Sequence, residues 1–314
     1  MVRLVALGCL AALFFSSTFI LNRAMSLEGG HWVWSASLRF GYMLLFISVL
    51  LLITKGAAYL AALWRLYRAH WVFWTTAGSI GFGVFYALLC LSADHAAGWV
   101  VATTWEITIL CTPLVLLGFG KRVPLKGIAV AVVIFAGIVL VNSEQMGAAT
   151  LPTTMPWWWA VIPIVIAAFA YPFGLQLVWE ASQGGHGWIP AIRDPLMQDG
   201  FAKVLLLTLG SMPFWLGLLL VIVPPAPSTG QLVSTAWVAL LSGVIATTLF
   251  LSARHQCRQP HEIAAVDASQ AMEVVFSLIG EVWLLHGLLP SAVGWLGVAL
   301  TVLGLMAYTR LQAA

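Results

Sequence analysis

The chain has 314 residues, 61% of them apolar and only 8% charged, with a mean hydropathy of +0.99. This excludes an ordinary soluble domain and points to one embedded in a membrane. The 14 basic and 11 acidic residues leave a formal charge of +3, too weak a field to assign to nucleic acid.

A helix needs about 20 mainly apolar residues to cross the hydrocarbon. Taken in chain order, the segments 3–22, 32–54, 71–91, 97–119, 124–142, 157–178, 200–223, 232–252, 263–286 and 291–311 meet that requirement. The first begins like a signal peptide, with Arg3 before an apolar core. It lacks an Ala-x-Ala site, however, and is expected to remain as a span. The longest polar interruptions are 55–70, with Lys55, Arg65 and Arg68, and 179–199. Cys9, Cys90, Cys111 and Cys257 lack metal or disulfide spacing and read as packing residues.

The second half of the chain repeats the first. Phe15-x3-Phe19-x-Leu21-Asn22 matches Phe169-x3-Phe173-x-Leu175-Gln176, and Trp34-x4-Arg39 matches Trp188-x4-Arg193. Leu91-Ser92-Ala93-Asp94-His95 recurs as Leu251-Ser252-Ala253-Arg254-His255, and Glu106 pairs with Glu273. Pro124, Gly127 and Gly137 then pair with Pro290, Gly294 and Gly304.

Loop charge sets the orientation. With a cytoplasmic N-terminus, that side receives Arg3, Lys55, Arg65, Arg68, Lys121, Arg122, Lys126, Arg193, Lys203, Arg254, Arg258 and Arg310. The other side receives Arg23 alone. Five spans is an odd number, so the second half must lie upside down relative to the first. The expected fold class is an all-α membrane protein of ten transmembrane helices, built as two inverted five-helix repeats, 1–145 and 150–314. Both termini face the cytoplasm of a bacterial-type inner (plasma) membrane. Trp157-Trp158-Trp159 falls on the opposite side, where an interfacial aromatic belt belongs.

Glu106 and Glu273 fall near the middle of the fourth and ninth spans. An ionisable side chain at that depth costs about 2.5–3.5 kcal/mol on insertion scales. A carboxyl held there can exchange a proton near neutral pH, which a proton-coupled carrier needs, or it can bind helices together by hydrogen bonds. On a helical wheel Asp267, Gln270, Glu273, Ser277 and Glu281 share an arc of about 120°, expected to face a wet cavity. Thr103, Thr104, Thr108 and Thr112 are expected to bond their own backbone. Arg39, about two turns inside the second span, needs an acid, a carbonyl or an anionic ligand unless it snorkels to the interface. Phe85, Trp105 and Tyr171 are aromatic candidates for a site wall, and Pro113, Pro172 and Pro213 are possible hinges or tolerated kinks. His261-Glu262 opens like a zinc-protease helix, but Ala265 stands where the second histidine belongs, so neither metal nor cofactor is expected.

Ten spans in inverted halves, with alanine-rich fourth and ninth spans, resemble the drug/metabolite transporter superfamily. Within it the chain resembles the EamA-related branch of multidrug resistance efflux transporters. Phe15-Ser16-Ser17-Thr18-Phe19, Leu38-Arg39-Phe40 and the stretch from Ala264 to Gly304 carry the likeness. It implies a secondary transporter, not an enzyme, that exports small organic molecules such as drugs, amino acids or related metabolites by alternating access. Its partners would be substrate, protons and the bilayer, and it would act as a monomer or homodimer. The Gly-Glu-Arg-like turn of such repeats reads Gly120-Lys121-Arg122 and His286-Gly287-Leu288 here, without the acid. The first span lacks the glutamate of the small four-span relatives, so chemistry rather than family position assigns coupling to Glu106 and Glu273. A non-transporting scaffold or sensor using residues 55–70, or a membrane enzyme, is the competing expectation; no Gly-x-Ser-x-Gly or intramembrane Gly-x-Gly-Asp supports the latter.

Overall fold

The computed structural model describes residues 2–121, 128–147, 158–257 and 260–313, and Pro124, Gly127, Arg122, Lys126, Trp157 and Arg258 lie outside that set. The described chain is helical throughout: α1 Val2–Leu27, α2 Trp32–Lys55, α3 Ala57–Ala69, α4 Trp71–Gly78, α5 Phe85–Ala93, α6 Gly98–Trp105, α7 Thr108–Gly118 and α8 Ile128–Gly147. The second part comprises α9 Trp158–Ser182, α10 Gly200–Ile222, α11 Thr229–Val238, α12 Thr247–Gln256, α13 Pro260–Ala268, α14 Met272–Leu284 and α15 Ala292–Ala313. Seven helical runs are long and apolar enough to cross a membrane, and shorter apolar stretches lie within α8 and α15. The protein is an integral membrane protein.

Local chemistry sets the helix ends. His31 Nδ1 accepts the Val33 N–H at the start of α2. Gly56, at φ 85°, turns the chain into α3. In α3, Leu63 and Leu66 are buried and Trp64 is exposed. Asp199 accepts the Phe201 and Ala202 N–H groups and so caps α10. The expected span 71–91 is one continuous run in which a π-helical stretch, Ser79–Val84, joins α4 to α5. A second π stretch, Ala239–Ala246, joins α11 to α12, and it starts at the offset that separates Leu91 from Leu251. Single π-turns in helices commonly mark functional positions.

Two segments expected to be single helices are broken. In the fourth, Glu106, Ile107, Ile109 and Leu110 donate to carbonyls three residues back, and this tight turn separates α6 from α7. In the ninth, a 3-10 turn over Ser269–Ala271 separates α13 from α14. Hydroxyls compete for the backbone at both places, Thr108 bonding Trp105 O and Ser269 bonding Val266 O. Pro113, Pro163, Pro172 and Pro213, in contrast, lie inside helices that continue through them.

The packing falls into exchanged pairs. Helix α1 packs on α14 and on the α11–α12 run, as α9 packs on α7 and on the α4–α5 run. Helix α2 packs on α11 as α10 packs on α4, and α8 packs along α15. Glycines permit the closest crossings. A Cβ on Gly137 would fall 2.7 Å from Gly297 O, and one on Gly81 would fall 3.0 Å from Gly174 Cα. The exchange is incomplete: the α2–α5 and α1–α5 packing has no counterpart of similar extent between α10 or α9 and α12 among the described residues. Helices α6 and α14 pack together and α1 packs on α6, whereas no comparable contact joins α7 or α9 to α13 among the described residues. Among the described residues the helices therefore pack more closely at the α6–α14 end than at the α7–α13 end.

The sequence match between Arg39 and Arg193 does not survive folding. Arg39 is buried in α2, while Arg193 is exposed in the connection before α10. That connection is held by Gly185 N–H to Glu180 O and Ile192 N–H to Ala181 O, and Arg193 lies in it ahead of α10, where its loop charge was expected.

Candidate functional site

The two helix breaks carry the two glutamates. Glu106 closes α6 at the tight turn, and Glu273 lies in the first turn of α14, just after its 3-10 turn. The positive end of the α14 dipole thus faces the Glu273 carboxylate. The two carboxylates sense one another electrostatically. Each is half-buried, and neither makes a hydrogen bond or ion pair among the described residues. A carboxylate that served as structural glue would have a protein donor. These two sit where the closely packed helix halves give way to the more loosely packed ones.

The wall beside them is aromatic. Phe85 lies 4.9 Å from both Trp105 and Tyr171, measured between ring centroids, and Trp105 and Tyr171 are 5.7 Å apart. Tyr171 is within electrostatic reach of both Glu273 and Arg39. Arg39 is only 8% exposed, so the snorkelling alternative fails. Its guanidinium lies 3.9 Å above the Tyr86 ring and donates to Ser242 Oγ at 3.2 Å, while its Nε is buried without a partner. Ser242 in turn accepts from Thr18, and Tyr86 OH accepts from Asn22 Nδ2. Among the described residues Arg39 thus has no ion-paired anion, and Glu106 and Glu273 have no ion-paired cation.

The expected polar face of the ninth span is divided by its 3-10 turn. Asp267 lies 3.5 Å from Arg254, Gln270 donates to Gly8 O, Ser277 Oγ is buried without a partner, and Glu281 accepts from the Gly98 N–H at 2.9 Å. Only Glu273 of the five joins Glu106 and the aromatics. The 3-10 turn, at about 120° per residue, rotates Asp267 relative to α14, whereas Glu273, Ser277 and Glu281 keep four-residue spacing on one face of α14 and differ in depth along it. The threonines of the fourth span bond backbone carbonyls, as expected for Thr103, Thr104, Thr108 and Thr112. Sequence reasoning did not find the helix breaks, for which no proline or glycine stands at 106 or at 269–271. It also treated Arg23 only as a loop charge.

The family model described as "EmrE: Putative multidrug resistance efflux transporter" matches residues 2–314, and the chain belongs to that family, within the drug/metabolite transporter superfamily. It is 36% identical to "Uncharacterized protein YjlA" of Bacillus subtilis (strain 168), over 98% of this chain and 94% of that one. It is 35% identical to an "Uncharacterized 42.1 kDa protein in intracellular alkaline protease 3'region" of Shouchella clausii, over 85% of this chain and 69% of that one. A solved crystal structure matches with a TM-score of 0.59 at 14% identity, covering 99% of this chain and 97% of that one, a likeness of fold.

Proposed function

We propose that this member of the multidrug resistance efflux transporter family is a secondary carrier that exports small organic molecules in exchange for protons. The observation that carries the reading is the pair of unpartnered carboxylates, Glu106 and Glu273, at two helix breaks beside an aromatic wall. Discontinuous spans at a repeat interface are where carriers of this general kind place their binding groups. The two acids suit a proton or a cationic group, Arg39 suits an anionic one, and Phe85, Trp105 and Tyr171 suit an apolar body. An organic cation uses the first and third features; an amino acid or other zwitterion uses all three.

Two five-helix halves, inverted in the membrane, give this site its alternating access. In support, the two π stretches share an offset, both glutamates lie at tight turns, and helix partners exchange between halves. In this reading, which the bias of loop charge supports, both termini and the more loosely packed α7–α13 end face the cytoplasm. In that orientation the path opens inward, as an exporter requires for loading. Asp267, Gln270, Ser277 and Glu281 act outside the immediate site, at helix contacts that hold or release the moving halves.

Purified protein in proteoliposomes, challenged with a panel of organic cations and zwitterions with and without a pH gradient, tests the reading. Gradient-dependent flux of at least one compound supports it. Binding without flux favours a sensor, and chemical conversion of a compound favours an enzyme.

A further inference from the structure

The α6–α14 end of the path is held by few groups, and they sit on different helices. Arg23, in the last turns of α1, donates from Nη1 to Ala93 O at 3.1 Å and to Asp94 O at 3.5 Å, at the end of α5. Glu281 of α14 is 5% exposed and accepts the Gly98 N–H at the start of α6. Arg23 and Glu281 also attract one another electrostatically without forming an ion pair. The backbones meet closely here: a Cβ on Gly98 would lie 2.9 Å from Phe19 O and 3.1 Å from Glu281 Oε2.

The other end differs. Lys121, just past α7, pairs with Glu180 of α9 at 2.8 Å, but α13 stands away from both α7 and α9. Every bond just named at the α6–α14 end joins α1 or α14 to the α5–α6 connection. Exchanging the packing between halves, so that α9 met α13 while α1 left α6, would break those bonds and part Gly98 from Phe19. A buried carboxylate and a half-buried guanidinium that bond backbone groups across a seam are strong, directional and switchable as a unit.

We propose that Arg23, Glu281 and Gly98 form a latch that holds the non-cytoplasmic end of the path shut, and that the path opens outward only when this latch releases. The proposal rests on the carrier reading for its purpose, but its test needs no substrate. A single reporter, Ile107→Cys beside Glu106, is placed in a chain whose four native cysteines are replaced by alanine. Its labelling by a membrane-impermeant maleimide is timed from each side, in right-side-out and inverted vesicles. With the latch intact, labelling runs from the cytoplasmic side. Glu281→Gln weakens the bond to Gly98 at nearly constant volume, and Gly98→Ala wedges the seam. Each is expected to raise labelling from the outside by about tenfold, the shift that loss of one charge-assisted hydrogen bond gives a two-state equilibrium. Arg23→Gln acts in the same direction from the other arm.

As a second measurement, an oxidised cross-link between Arg23→Cys and Asp94→Cys is expected to abolish residual outside labelling, and reductant to restore it. Outside rates unchanged in all three variants and by the cross-link overturn the latch. Fast outside labelling of the parent also overturns it, since that end would then be open. Correct latch behaviour in a protein that carries no compound would sink the transport reading and leave the latch standing.

Discussion

Removing Lys121 tests the packing of α9 against the end of α7. Its ammonium lies 2.8 Å from Glu180 Oε1, and the same oxygen accepts from Gln176 Nε2 at 2.8 Å. The Glu180 side chain is 5% exposed and that of Lys121 37%, so the carboxylate cannot recover water when its partner goes. Breaking a fully buried pair costs about 3–5 kcal/mol. The half-exposed lysine and the surviving Gln176 bond reduce this, and Lys121→Ala is expected to cost about 2 kcal/mol. Part of that loss is the packing of the lysine stem and its cation–π contact, 4.6 Å from the Trp179 ring. Glu180→Gln removes the charge that needs a partner, so adding Lys121→Ala in that background is expected to cost about 1 kcal/mol or less. Equilibrium unfolding in mixed micelles, followed by the fluorescence of the 16 tryptophans, closes the four-variant cycle. A coupling below about 0.5 kcal/mol, within the scatter of independent sites, refutes the bridge as a structural tie.

Two further predictions concern stability. Gly137→Leu forces side-chain atoms into the space occupied by Gly297 O and Thr301, and overpacking of this kind is expected to cost about 1–3 kcal/mol in the same unfolding assay; a neutral outcome contradicts the α8–α15 crossing. Asp199 lies outside the apolar helices; desolvation pushes its carboxyl up, but the Tyr59 hydroxyl, the Phe201 and Ala202 N–H groups and Lys55 outweigh that and hold it below its ordinary value. Its contribution is therefore complete above the unfolded-state value of about 3.9 and is lost as pH falls through the lower folded-state value. Asp199→Ala is expected to cost about 2 kcal/mol near neutrality, and the gap to the wild type to narrow below about pH 4; a gap constant down to pH 2 contradicts a charge-based role.

The membrane class and the helix positions were legible because 20-residue apolar runs are a length measurement, and little besides lipid requires them. That Glu106 and Glu273 stand in otherwise apolar stretches was legible as well, and each lies beside a helix break. The breaks beside them were not, because their cause is local hydroxyl competition and tertiary contact, with no proline or glycine to announce it. The wheel over Asp267 to Glu281 assumed one continuous helix; the 3-10 turn at Ser269–Ala271 sets Asp267, beside Arg254, apart from α14, and depth along α14 separates Glu273 from Glu281, which bonds Gly98. The match of Arg193 to Arg39 failed for a related reason: pattern similarity carries no information on whether a residue falls inside a helix or in a connection. Arg23 was legible only as a loop charge, because its partners, Ala93 O and Asp94 O, are backbone carbonyls.

Proton coupling through the central carboxylates is the account's central claim, and Glu273→Gln tests it most directly. The substitution keeps the side-chain volume and removes the exchangeable proton, in a group that has no hydrogen-bond or ion-pair partner among the described residues. The measurement is flux of a transported compound into proteoliposomes, driven by a pH gradient and then by substrate counterflow, for the wild type, Glu273→Gln and Glu106→Gln. The account predicts that Glu273→Gln abolishes gradient-driven flux while counterflow survives, and that Glu106→Gln impairs it to the extent that both carboxyls carry protons. Wild-type gradient-driven flux in Glu273→Gln and Glu106→Gln alike would contradict it.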